Sequence, residues 1–399
     1  MKRSLIGILG VSILILAGAD WPGFLGAGGR GVATESQPPT QWSSDANVAW
    51  KTPLPGRGPS SPIVVDGRVF VTCSAGPNQD RLHVVCLDAQ SGTQLWQRQF
   101  WATGRTYSHP TSAVAANTPV SDGEAVYAFY SSNDLACVEL DGTLRWFRGL
   151  THDYPKAGND VGMSSSPVIA GDVVVVQIEN QGDSFAAGIS RQTGETVWRI
   201  PRDFRANWSS PAVLPHPSGR VTVILQSPSG LTGVDAADGE QRWHYAADCG
   251  TIPTPVVTAD GMILCNANGV TMLKPTESDV EVVWQSNRLN PGPASPVYHQ
   301  DQVYAVNRAG VLSCADAANG ETKWQLRLKG TFWASPVLAG SNLFLVNHDG
   351  LAQVVKLGES GELLASSEFD GEKILGTPAI SGDALYVRSD EHLWKIAAE

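Results

Sequence analysis

The side chains best suited to chemistry lie in two segments that interrupt strand-like sequence. One contains Arg105-Thr106-Tyr107-Ser108-His109, and the other contains Thr151-His152-Asp153-Tyr154, followed by Asn159-Asp160. An imidazole beside a carboxylate could act as a general base, which makes His109, or His152 with Asp153, the candidate for acid–base chemistry. No nucleophile or metal ligand accompanies either histidine at a functional spacing, so we predict no catalytic residue.

Binding fits the composition of these segments better than catalysis does. Two shorter loops add aromatic rings, at Asn207-Trp208 and at Trp333, just ahead of predicted strands. Polar and aromatic side chains on loops are typical of surfaces that bind peptides or small ligands. The alternative is that the rings only cap the fold and that the histidines are solvated. The predicted ligand- or partner-binding set is Arg105, Tyr107, His109, His152, Asp153, Tyr154, Asn159, Asn207, Trp208 and Trp333.

Other short motifs carry no chemistry. Gly26 to Gly31 satisfies G-x-G-x-x-G, but no strand precedes it and Pro38-Pro39 prevents a following helix, so we interpret it as part of a flexible arm. The zinc, EF-hand and nucleophile-elbow spacings are absent, and no metal site is predicted.

The 6 cysteines could form disulfides if the protein is exported. Cys86 and Cys314 occupy equivalent positions in the third strand of two different repeats, which favours buried, reduced core residues. Cys73 and Cys86 flank one hairpin, but its expected turn would place Cys73 opposite Leu82. A disulfide between them is the less favoured alternative.

A repeated unit must position the loops. Each copy opens with Ser or Thr followed by Pro, and the openings are spaced 40 to 57 residues apart, which is the period of four-stranded propeller blades. Helical solenoids share this period, but residues 296 to 328 contain four short strand patterns separated by turns. The opening residues are Ser61, Thr118, Ser166, Ser210, Thr254, Ser295, Ser335 and Thr377.

Most units end with Gly, three residues and Trp, as in Gly239 and Trp243. We predict that each indole packs against the neighbouring blade and has a structural role. The fifth unit lacks the Gly, and the seventh has Ala365 in place of Trp, so we expect two weaker interfaces. The predicted structural residues are Trp50, Trp96, Trp146, Trp198, Trp243, Trp284 and Trp324.

The eighth unit ends too early to contain a fourth strand. Asn47 to Lys51, upstream of the first unit, has the missing pattern, with Trp50 in the expected place. We therefore predict an all-β protein, an eight-bladed β-propeller with four-stranded antiparallel blades, whose last blade is closed by the N-terminal strand. A monomer is expected.

Charge and the N-terminal segment restrict the protein's location and partners. Lys and Arg number 28 against 39 Asp and Glu, and a net charge of −11 disfavours nucleic acid and anionic membranes as partners. Lys2 and Arg3, the apolar run Leu5 to Leu16 and Ala17-Gly18-Ala19 predict a signal peptide cleaved before Asp20, and hence a periplasmic or secreted protein without a membrane span. The expected organisation is residues 1–19 signal peptide, 20–44 extended arm and 45–399 propeller.

The repeated Gly-x-x-x-Trp units resemble the pyrroloquinoline-quinone-like (PQQ-like) β-propeller repeat superfamily over about residues 45 to 399. The sequence is similar to the family of the outer-membrane protein assembly factor BamB, which implies a scaffold that binds a protein partner or small ligand and has no cofactor. The quinoprotein dehydrogenase branch implies instead an alcohol or sugar dehydrogenase with PQQ and calcium. Its adjacent Cys-Cys pair and long insertions are missing here, so the scaffold is preferred. No Cys follows the apolar run, and a lipid anchor is not indicated.

Overall fold

The computed structural model describes residues 20–158 and 160–398, and these residues form a closed ring of blades. There are eight antiparallel meanders of four strands each, which confirms the predicted eight-bladed all-β propeller. The described helices are short, namely the 3-10 turn Ala27–Gly29 and the α-helical turn Leu150–Asp153. The predicted signal peptide lies outside the described residues.

The strands of each blade run outward from the central axis in chain order. Blades 1 to 4 consist of Ile63–Val65, Arg68–Ala75, Arg81–Asp88 and Gln94–Trp101; Val120–Ser121, Ala125–Phe129, Asp134–Glu139 and Leu144–Gly149; Val168–Ala170, Val173–Ile178, Phe185–Ser190 and Thr196–Pro201; Ala212–Pro215, Val221–Ser227, Gly230–Asp235 and Gln241–Ala246. Blades 5 to 8 consist of Val256–Val257, Ile263–Cys265, Val270–Pro275 and Val280–Ser286; Val297–His299, Gln302–Val306, Val311–Asp316 and Thr322–Arg327; Val337–Ala339, Asn342–Val346, Leu351–Lys356 and Glu362–Glu368; Ala379–Ser381, Ala384–Arg388, His392–Ala397 and the N-terminal Val48–Pro53.

The N-terminal strand completes blade 8, as predicted. Val48–Pro53 pairs antiparallel with His392–Ala397, and Trp50 lies opposite Lys395. The Lys51 ammonium reinforces the junction, since it lies 2.9 Å from Asp370 and 2.8 Å from Glu372. The two ends of the chain are thereby joined in one sheet.

Hydroxyl groups join the innermost strands into a belt. From Ser61 to Ser335, the backbone N–H of each opening Ser or Thr donates to the hydroxyl of the next opening residue, in seven bonds of 2.9 to 3.1 Å. Because the following Pro has a fixed φ and no N–H, it holds the chain extended without adding an unpaired donor. The Ser/Thr-Pro opening is therefore a contact between blades as well as a strand start.

The predicted structural tryptophans pack between blades, and six of the seven indoles lie over the turn glycine of the next blade. Trp198 covers Gly239, where an added Cβ would lie 2.8 Å from the ring, and its Nε1 donates to the Ala236 carbonyl at 2.8 Å. Trp243, at the interface of blades 4 and 5, is the exception, because the fifth unit has no turn glycine for it to cover. Weaker interfaces there and beside Ala365 stay a prediction. The same packing of an indole on a turn glycine occurs in the pairs Trp50–Gly92, Trp96–Gly142, Trp146–Gly194, Trp284–Gly320 and Trp324–Gly361.

Gly239→Ala should therefore cost more than a matched change in the same blade. Gly219→Ala serves as control, because Gly219 also has positive φ (84° against 73°) but nothing within 4 Å of an added Cβ. Left-handed backbone alone costs about 1–2 kcal/mol, and overpacking against Trp198 should add about 1–3 kcal/mol. Urea unfolding of both variants measures the difference, and equal losses would show that the indole does not need the glycine.

The arm expected to be flexible is packed across one face of the propeller. Trp21 and Leu25 are each 2% exposed, and Trp42 is 4% exposed. The chain bridges to Val64 in blade 1 at Trp21, and Val32–Ala33 adds a parallel strand to blade 7. The prediction that the arm is flexible is wrong, because its glycines allow close packing. At Gly26 an added Cβ would lie 2.6 Å from the Trp21 ring. The arm thus crosses the central axis and closes that end of the channel.

Candidate functional site

A central cavity of about 670 Å³ lies on the propeller axis. It is bounded at one end by Phe24 of the arm and extends to the loops between blades, on the side that also carries the second turn of each blade; we call this side the loop face. Trp208 and Trp333 form part of the wall. Among the described residues that line it are Arg308 and two histidines, and no carboxylate is present. The cavity therefore suits an apolar or anionic ligand better than a cation.

The hydroxyl belt also lines this cavity. All eight opening Ser and Thr residues contribute to the wall. Seven of their oxygens accept a backbone N–H, and a hydroxyl that accepts in this way still has a proton to donate. The belt thus adds hydrogen-bonding capacity to a wall that is otherwise largely apolar.

Three of the predicted binding residues line the cavity: His109, Trp208 and Trp333. The backbone N–H of His109 donates to the Val161 carbonyl at 2.9 Å, which joins the two long loops over the channel. Trp208 Nε1 donates to the Gly162 carbonyl at 2.8 Å, and the Arg308 guanidinium lies 5.0 Å from the centre of the Trp333 ring. These rings are held in place before any ligand binds.

Four other predicted residues lie outside the cavity, on the loop face. Arg105 pairs with Asp160 at 2.8 Å and lies 5.3 Å from the ring centre of Tyr107, which is 56% exposed. The pair of His152 and Asp153 is in the short helix Leu150–Asp153, where the Asp153 carboxylate pairs with Arg148. Neither residue of this pair lines the cavity, so the geometry offers it no substrate position there.

The remaining predicted residues have contacts inside the protein. The Tyr154 ring packs against Phe185 with centres 4.5 Å apart, and the Arg199 guanidinium lies 4.7 Å from the Tyr154 ring. Asn207 is 1% exposed and donates from its side chain to the Gln226 carbonyl at 2.7 Å. Asn159 lies outside the described residues. A ligand in the central cavity would not meet Tyr154 or Asn207 directly.

A buried ion pair positions the loop between blades 3 and 4. Glu179 has a fully buried side chain, and its Oε1 accepts from Arg202 Nε at 2.8 Å and from the Ser227 hydroxyl at 2.6 Å. Arg202 also reaches Thr232 at 3.0 Å, in blade 4. The pair therefore fixes the chain that continues to Phe204.

Two exposed rings on the loop face are not among the residues predicted from the sequence. Trp101, at the end of the outer strand of blade 1, is 61% exposed. Phe204, in the loop between blades 3 and 4, is 71% exposed. Trp101 could have been singled out, because it lies on an outer strand but outside the Gly-x-x-x-Trp spacing that five other tryptophans share. We call these two rings and that of Tyr107 the rim rings.

The cysteines are buried and reduced, as the core interpretation expects. Burial raises the pKa of the Cys86 thiol to about 12, so that thiol is not a nucleophile at neutral pH. Cys73 pairs across the hairpin with His83 and not with the expected Leu82. The turn is one residue longer than assumed, with Gln79 at φ 53°.

One acidic group resembles a metal site, at the closing junction. Ligand atoms of Glu372, Glu391 and His392 lie within 4.8 Å of one another. Glu372 is already paired with Lys51 and with His392, at 2.8 Å each. We interpret the group as part of the ion-pair network that closes blade 8. Among the residues that the structure describes, no helix has the length and hydropathy needed to cross a bilayer.

Comparison with known proteins gives consistent matches. The sequence matches the family model described as outer membrane protein assembly factor BamB over residues 23–187, 182–294, 270–364 and 309–399. The BamB protein of Alkalilimnicola ehrlichii is 26% identical over 238 residues, which are 57% of this chain and 49% of that protein. That of Burkholderia pseudomallei is 24% identical over 361 residues, 84% of this chain and 83% of that protein. The matched region thus spans about half of the first relative's length.

Solved structures show the same fold. The structure of BamB from Moraxella catarrhalis has a TM-score of 0.65 at 15% identity and covers 88% of this chain and 97% of that one. The quinohemoprotein alcohol dehydrogenase from Comamonas testosteroni has a TM-score of 0.71 at 13% identity, with 96% and 81% covered. At these identities the likeness concerns the fold alone, and it spans both a scaffold and an enzyme.

Proposed function

The chain belongs to the family of the outer membrane protein assembly factor BamB, and on this basis we propose that it is an exported scaffold that binds a protein partner on its loop face without catalysing a reaction. The observation that carries the proposal is the exposure of the rim rings. Phe204 is 71%, Trp101 61% and Tyr107 56% exposed, whereas the tryptophans between blades are largely buried. Exposed Trp, Tyr and Phe are enriched where proteins bind one another.

The supports of the rim rings also favour binding. Phe204 follows the buried pair of Glu179 and Arg202, and Tyr107 is held by Arg105, which is itself paired with Asp160. Side chains that are ordered before binding lose less conformational entropy in the complex. The charge of the chain and its relatives' role in outer membrane protein assembly agree with a protein as the partner.

Replacing Trp101 and Phe204 with Ala should weaken partner binding by about 30-fold or more per ring, because buried aromatic anchors contribute about 2 kcal/mol or more each. Recovery of outer-membrane assembly proteins from the exported fraction, followed by titration of the recovered partner, gives the measurement. The thermal midpoint should stay unchanged, since both rings are exposed.

The matched control is Leu95→Ala with Val197→Ala. These residues are 50% and 52% exposed but lie at the beginning of outer strands, at the opposite end of their blades from the loop face. The control should bind as the original protein does. Equal weakening in both double variants would mean that the partner does not use the rim rings.

The second candidate, a PQQ-dependent oxidoreductase, receives less support from the cavity. Calcium beside the quinone prefers carboxylate and amide oxygens, and the described lining residues include no Asp, Glu, Asn or Gln. The residues present therefore do not fit a calcium–quinone pair. Addition of PQQ and calcium should produce neither a bound-quinone absorbance band nor dye reduction with alcohols or sugars, and quinone-dependent turnover would overturn the scaffold proposal.

A further inference from the structure

A buried arginine without a counter-ion lies in blade 8, where it faces blade 1. Arg388 is 1% exposed, and one of its terminal nitrogens donates to the Ser60 hydroxyl and to the Thr72 carbonyl. The other donates to Cys73 Sγ at 3.3 Å, and Nε is buried without a partner. Among the described residues no carboxylate lies within ion-pair distance of Arg388. A buried charge that is not compensated costs several kcal/mol.

The repeat provides an internal comparison for this position. In blade 3 the equivalent residue is Gln177. The last residue of the second strand that pairs with the inner strand is Val175 in blade 3 and Tyr386 in blade 8, and Gln177 and Arg388 each lie two positions after it. Gln177 donates to the Gln226 carbonyl of the next blade at 2.8 Å, just as Arg388 donates to the Thr72 carbonyl of blade 1. A neutral amide is therefore sufficient for the contact between blades. The fold does not require the charge of Arg388.

Arg388 lines a side cavity of about 290 Å³ between blades 7, 8 and 1. Gly58 keeps a side chain from filling the space beside the guanidinium, because an added Cβ would lie 2.7 Å from Arg388 Nη2. The side cavity shares Pro59, Thr111, His348 and Leu375 with the central cavity. The two spaces are thus adjacent, and one ligand could occupy both.

The other charges of the side cavity are already matched. Arg57 pairs with Asp390 at 2.9 Å, and Lys373 pairs with Asp349. The single charge of Arg388 remains. His348 is a further polar group of the shared wall, and its Nδ1 is buried without a partner.

We propose that the side cavity binds the carboxylate of a small organic acid whose apolar part lies in the central cavity. One unmatched positive charge favours a singly charged group over a phosphate dianion, and guanidinium–carboxylate hydrogen bonds are among the stronger ones in proteins. Trp208 and Phe24 give the central cavity an apolar wall, and its lining has no carboxylate that would repel the ligand. The site differs from the rim rings and does not depend on the partner proposed above.

Calorimetric titration with benzoate and with benzamide tests the charge, because the two probes have similar shapes. Benzoate should bind at least tenfold more tightly than benzamide. Arg388→Gln, which restores the residue that blade 3 uses, should reduce benzoate affinity at least tenfold. The control Arg220→Gln, at an exposed arginine that lines neither cavity, should change it less than threefold.

Nuclear magnetic resonance of the unmodified protein keeps the proposal falsifiable if Arg388→Gln does not fold. The Arg388 Nε resonance should shift with benzoate and not with benzamide. Failure to bind benzoate, equal affinity for the two probes, unchanged affinity in a folded Arg388→Gln variant, or tighter binding of chloride or phosphate would each overturn the proposal.

Discussion

Glu179→Ala should lower the free energy of unfolding by about 3–5 kcal/mol, the cost of leaving one partner of a buried ion pair uncompensated. The Glu179 side chain is fully buried and that of Arg202 is 9% exposed, so water cannot replace the lost carboxylate. The Ser227 hydroxyl would lose its acceptor as well. Urea unfolding followed by tryptophan fluorescence gives the midpoint and the slope from which the loss is calculated.

The double variant Glu179→Met with Arg202→Met separates the charge from the packing. Replacing both ions with apolar side chains of similar length should recover most of the lost stability, because no isolated charge remains. A double variant as unstable as Glu179→Ala would mean that the hydrogen bonds to Ser227 and Thr232, and not the uncompensated charge, determine the effect.

Truncation from Asp20 should have the other large effect, and its extent depends on where the chain is cut. Removal of residues 20–54 exposes the edge of His392–Ala397 and the ring opens, so we expect aggregation in light scattering. Removal of residues 20–41 keeps Val48–Pro53 but uncovers the sites of Trp21 and Leu25. Because burial of each large apolar side chain contributes about 1.5–3 kcal/mol, this shorter truncation should stay soluble and lose about 3–6 kcal/mol.

The second part of this prediction differs from what the sequence alone suggests, which is that loss of residues 20–41 would be tolerated. Full stability of that truncation would show that the arm contributes no net stabilisation despite its burial. Equal solubility of the two truncations would contradict the proposed closure by the N-terminal strand.

Repetition explains why the architecture could be predicted. Eight copies of one opening, and indoles at a constant distance from a turn glycine, give the same signal many times. Trp50, found alone upstream, could be assigned to the last blade because every other unit has its fourth strand. The arm occurs once, and its glycines indicate flexibility unless Trp21 is known to lie against Gly26.

The site was predictable only where contacts are local. Trp208 and Trp333 line the cavity because they directly precede inner strands, which the spacing of the repeats places around the axis, whereas His109 lies further upstream in a long interblade loop. Asn207 and Arg388 have their partners in another strand or blade, at Gln226 and Thr72. No spacing within the sequence reveals such contacts, and a loop asparagine or a strand-end arginine looks exposed until the neighbouring blade is in place.

The arm closes one end of the central channel, and this restricts how a small molecule can enter and leave the protein. With Phe24 at the floor, a small molecule that enters from the loop side must leave by the way it came. A protein bound across that entrance would block it. Release of an enclosed molecule would then be slower in the complex than in the free protein, although the two occupants need not touch.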